Sequence, residues 1–116
     1  MESIRGLERR EHKRYPLNLP MRYRVAPRRG AAMTGRGTTC DISEAGVGFL
    51  CREPLPEGSH IEVVAQWPAK AAGGQPLDLR MTGFVLRSNR GVAAVCVTSS
   101  KLRADTAEVL EMRASA

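Results

Sequence analysis

Aromatic side chains make up only 4% of this 116-residue chain: one tryptophan, two tyrosines and two phenylalanines. A core must therefore come mainly from Val, Leu, Ile, Met and Ala. The same scarcity leaves few platforms for unstacked bases, which weighs against single-strand nucleic-acid binding. Long apolar runs are missing too. The longest, "VAAVCV" at 92–97, falls far below the roughly 20 residues of a membrane helix, so no membrane span is expected. The opening stretch, "MESIRGLERREHKRY", is charged and lacks the apolar segment of a secretory signal.

Chemistry-bearing residues are equally thin. The three cysteines (Cys40, Cys51, Cys96) form an odd set without a C-x-x-C. Buried, reduced structural thiols in a cytoplasmic protein are the expectation, and the spacings are wrong for zinc. His12 and His60 are the only histidines. Ser43 has no G-x-S-x-G elbow around it. "GRGTTC" and "GVGFLC" begin like a dinucleotide fingerprint but lack its third glycine, and there is no P-loop. No enzymatic activity, metal or cofactor is expected.

What is present is charge of one sign in one place. The net charge is +6, and residues 1–36 hold ten basic and three acidic side chains. The remaining residues hold eight basic and nine acidic ones. All the excess lies in the first third, so an anionic partner is expected to meet the protein there, unless the charge is only a solubilising tail.

Length and an apolar fraction of 42% fit one small domain. From Leu17 to Val25 apolar and polar residues alternate strictly, the period of a strand with one buried face. Pro20 cannot donate to a ladder and suggests an edge or a bulge. Residues 26–37, rich in Gly and Arg, read as a long loop. Further strands are predicted through "RGTTCDI", "GVGFLCR", "HIEVVAQW", "LDLRMTGFVLR" and "GVAAVCV", with "PAKAAGGQP" a flexible connection. Gly83 inside a strand signals a bend or a close backbone approach. The C-terminus changes period: Leu102, Thr106, Val109, Leu110 and Arg113 step at helical spacing, and Asp105 with Glu108 forms a capping box. The fold class is thus mainly β, a small antiparallel β-barrel of about six strands with a short C-terminal helix. Residues 1–16 are expected to form a flexible basic arm, and residues 17–116 the barrel with its helix.

Two motifs stand out. Arg10-Glu11-His12-Lys13-Arg14 is an R-x-x-x-R preceded by Arg9, and guanidinium forks pair bidentately with phosphate or with the O6/N7 edge of guanine. Asp41-Ile42-Ser43-Glu44-Ala45-Gly46 is a D-x-S-x-x-G between two predicted strands. Taken alone, the second could be a Ser or Asx turn with Gly46 at positive φ.

Together, in this order and beside these strands, the motifs resemble the PilZ domain family. The likeness extends to the opening strand "KRYPLNLPMRYRV" and the closing hairpin "GFVLR…GVAAVCV". The resemblance implies a bacterial receptor for the second messenger cyclic di-GMP that passes occupancy to a downstream protein. Arg10 and Arg14 would clamp guanine and phosphate, and Asp41 would accept from a guanine N–H edge. Ser43 would bind ligand or anchor the loop, while Gly46 would let backbone approach the ligand. Arg9 would admit a stacked pair of ligands. Arg87 is placed to stack on a second base, though no motif fixes that role. Two rival readings are a ligand-free protein-interaction barrel and a non-specific nucleic-acid binder using the basic N-terminal third.

Overall fold

A computed structural model describes residues 15–104. Six antiparallel strands follow in chain order: β1 (Pro20–Ala26), β2 (Met33–Ile42), β3 (Gly46–Leu50), β4 (His60–Lys70), β5 (Pro76–Asn89) and β6 (Val92–Ala104). They close into a barrel in the order β1-β2-β3-β6-β5-β4. The alternation seen in the sequence produces this directly. Met21, Tyr23 and Val25 are buried while Arg22 and Arg24 between them are exposed. Val47, Phe49 and Cys51 point inward, as do Ile61, Val63 and Ala65. At the centre Tyr23 and Phe49 pack ring to ring, centroids 5.6 Å apart.

Several expectations are corrected. The first strand begins at Pro20, not Leu17. Pro20 heads the strand, where its missing N–H removes no interior ladder bond. Leu17–Leu19 is instead stitched to Thr39 of β2. The Leu19 N–H donates to Thr39 Oγ1 at 2.8 Å, the hydroxyl donates to the Leu17 carbonyl, and the Thr39 N–H returns to the Leu19 carbonyl at 2.9 Å. Thr39 is wholly buried. Thr39→Val keeps the shape but leaves the Leu19 N–H without its acceptor. It is expected to cost about 1–3 kcal/mol in urea denaturation; an unchanged midpoint would show that the hydroxyl is dispensable.

The presumed loop at 26–37 is half strand. Met33–Gly37 pairs with β1, and its glycines mark close approach. A side chain at Gly35 would strike the Tyr23 ring, and one at Gly37 the Leu50 carbonyl. Likewise β4 runs on through Pro68 to Lys70. β6 does not stop at Val97 but continues to Ala104, pairing with Leu77–Thr82 of β5. Leu102, assigned above to a helix, lies opposite Leu79 in this ladder. The rest of the predicted helix (Thr106, Val109, Leu110, Arg113) and its capping box lie outside the described residues. Among the cysteines only Cys51 is buried, whereas Cys40 and Cys96 are half-buried.

Candidate functional site

Strand register decides which side chains share the outer wall. In β2 the register shifts between Thr39 and Asp41, leaving Cys40 as the extra residue of a β-bulge. Thr39 faces inward opposite Phe49; without the bulge Asp41 would also face inward. With it, Asp41 pairs with Gly48 on the outer face, and Ile42 pairs inside with Val47. In β5 the register shifts between Val85 and Arg87, with Leu86 the extra residue. Val85 is buried opposite Val95, and the bulge turns Arg87 outward opposite Ala94. Bulges re-aim side chains in this way, and here two of them act on the same row.

That row reads Asp41, Gly48, Ala94, Arg87 across β2, β3, β6 and β5. Three interstrand gaps of about 4.8 Å separate its charged ends by about 14 Å along the sheet. Between them only a hydrogen and a methyl rise from the floor. The Asp41 carboxylate reaches back over it, its oxygens 3.5 and 3.7 Å from where a Gly48 side chain would begin. On one flank Leu50 lies opposite Val92; on the other, Gly46, Cys96 and Phe84 align. Six large apolar side chains are exposed among the described residues, and Leu50, Phe84, Leu86 and Val92 are four of them. A smooth floor with an apolar rim and opposite charges at its ends suits a flat, partly anionic ligand.

The D-x-S-x-x-G turn borders this floor. The Ser43 N–H donates to the Gly46 carbonyl at 2.8 Å, and the Gly46 N–H donates to Ser43 Oγ at 3.1 Å. Ser43 thus anchors the turn. Gly46 is not among the positive-φ residues, so the turn does not need glycine for its backbone angle. Proximity is the reason: a β-carbon at Gly46 would sit 3.1 Å from the Val95 carbonyl oxygen.

The arm reaches the same place. Tyr15 bridges to Ile42, its N–H donating to the Ile42 carbonyl at 2.8 Å and its carbonyl accepting the Ile42 N–H at 3.0 Å. Arg9, Arg10 and Arg14 themselves lie outside the described residues. Of the predicted site residues, then, Asp41, Ser43, Gly46 and Arg87 come together on one wall, beside the point where the arm is tied. Sequence reasoning missed Gly48, Ala94 and the rim. "GVGFLC" held the signal for Gly48, since glycines two apart on a strand leave one face bare.

A comparison with models of known families matches the PilZ domain over residues 8–110. The chain belongs to the PilZ domain family. PilZ domains form a family of cyclic di-GMP receptors, which bind ligand rather than catalyse a reaction. No curated protein and no solved structure matches the chain. Burial, and secondarily the Glu53 charge, pushes the Cys51 thiol pKa up, away from the reactive thiolate. His60 packs edge-on against Phe84, which stands between it and Cys96. Among the described residues no His, Cys, Asp or Glu group could hold a metal, and no helix is long and apolar enough to cross a membrane.

Proposed function

We propose that this PilZ domain binds cyclic di-GMP on the Asp41–Gly48–Ala94–Arg87 wall and passes its occupancy to a partner protein. The observation that carries the reading is the pair of bulges that sets Asp41 and Arg87 on one row. A carboxylate accepts from the N–H edge of guanine, and the bare floor lets the base lie flat between the rim residues. Arg10 and Arg14 close over the ligand from the arm, each fork pairing with a phosphate or with guanine O6/N7. Arg87 stacks on a base from the far end. Ser43 acts by holding the turn rather than by touching ligand. Closing the arm over the wall alters the surface a partner meets, which is the physical signal.

Two cyclic dinucleotides stacked on one another carry four phosphate charges, more than two arginines neutralise. Arg9 supplies a third guanidinium, so a stoichiometry near two ligands per chain is expected. Calorimetric titration of the parent and of Arg9→Leu checks this: the variant should fall towards one. A parent value near one would refute the paired ligand, and a value near two in both would assign the second molecule to another residue, Arg87 or one in the 26–37 segment.

The same titration with cyclic di-AMP tests the guanine assignment. Adenine presents a different donor and acceptor edge to Asp41 and the arginines. Losing such a bidentate contact costs roughly 1–3 kcal/mol. Equal affinity for the two nucleotides would overturn the assignment.

A further inference from the structure

The barrel carries a second charged surface, centred on β1 and β4, that uses none of the ligand wall's residues. One row of outward side chains crosses five strands: Arg36 (β2), Arg22 (β1), Val64 (β4), Arg80 (β5) and Lys101 (β6). Four of its five members are cationic, and four strand gaps of about 4.8 Å make it about 19 Å long along the sheet. Arg24 stands in the row on one side and Arg103 in the row on the other. Arg22 and Arg36 are direct cross-strand partners. With Arg24 and Arg80 they line an open depression of about 430 Å³ that also meets Glu62 and Val64. Half of the row's cations, Arg80 and Lys101, come from beyond residue 36, so counting charge along the chain did not reveal it.

We infer that this wall is a docking surface for an acidic protein segment, one rich in Asp and Glu with occasional basic residues. Charge complementarity names the class. The arginine forks suit carboxylates, and the depression takes a carboxylate side chain. One exposed acid is set among the cations, Glu62 opposite Arg24, while Asp78, its carboxylate 4.0 Å from Arg80, is buried. Such interspersion fixes register against a partner of mixed charge, whereas a phosphate backbone would meet Glu62 as repulsion. Among large apolar side chains, none of those exposed in the described residues lies in this row, so the surface has no anchor for a bilayer.

The test uses the full chain and a fluorescein-labelled glutamate-rich peptide with interspersed lysines, read by anisotropy at low salt. Arg22→Glu with Arg36→Glu should weaken binding at least tenfold. Arg52→Glu with Arg90→Glu, an equal change in net charge off the row, should leave it within about twofold. Arg22→Gln with Arg36→Gln, a gentler change, should give a partial loss, and a thermal melt of each variant reports folding. The same loss from both reversed pairs, or no binding by the parent, would overturn the inference. So would a short duplex DNA whose binding falls as much or more with the row variants, which would give the wall to nucleic acid. Cyclic di-GMP titration of the row variants should match the parent, so failure here is distinct from failure of the ligand reading.

Discussion

Asp41→Ala is expected to weaken cyclic di-GMP binding by about ten- to 150-fold while the barrel melts as the parent does. The magnitude follows from removing the acceptor of a charge-assisted hydrogen bond, roughly 1.5–3 kcal/mol. The intact fold follows from position. Asp41 sits on the outer wall, and the buried residues around it, Thr39 and Ile42, hold the strand through their own contacts. Asp41→Asn should fall between the two, because the amide keeps one acceptor but presents a donor to guanine's own N–H groups. Titration beside a thermal melt checks both statements. A variant that binds as the parent does would remove Asp41 from the site, and one that unfolds would make it a structural residue.

The largest effect on stability is expected from a glycine on the shared edge of the two longest strands. Gly83 is buried in β5 at a register shift, and a β-carbon there would run into the Cys96 carbonyl oxygen and sit 3.0 Å from the Val97 Cα. Both neighbours are backbone, so neither can swing aside as a side chain would. Relief requires prising β5 from β6 where each also pairs with another strand. Gly83→Ala is therefore expected to cost about 3 kcal/mol or more, the upper end of overpacking penalties. Gly58→Ala offers a contrast, since open space surrounds it and its strain comes only from a φ of 84°. Denaturation in urea separates them. A Gly83→Ala variant no less stable than Gly58→Ala would mean that the strands part more easily than their register suggests.

The sequence made the barrel legible wherever one face of a strand is buried, because the period of two is then written in residue type. Leu19, Met21, Tyr23 and Val25 show this, as do Ile61, Val63 and Ala65. Gly83 was legible for a related reason: a glycine amid Leu, Met, Phe and Val needs a cause, and close approach is the usual one. Legibility fails where a strand has no buried face. Residues 98–103 of β6 are all exposed and, Leu102 apart, polar, so their strand state rests on the partner β5, which no local pattern announces. The glycines at 35 and 37 misled in the other direction, reading as loop where they make room for Tyr23 and Leu50. At the candidate site, Asp41 and Ser43 were visible through their motif. The two bulges were not, since a bulge is a property of register between strands. Without them Arg87 has no evident link to Asp41, and Gly48 and Ala94 no role as a floor.

The most direct test of this account is an amide chemical-shift titration of the full chain with cyclic di-GMP. The expected result is saturable movement at Tyr15, Gly46, Gly48, Arg87 and Ala94, with Arg22, Val64 and Arg80 of the second charged surface unmoved. Saturable shifts confined to Arg22, Val64 and Arg80, with Gly48 and Ala94 unmoved, would contradict it.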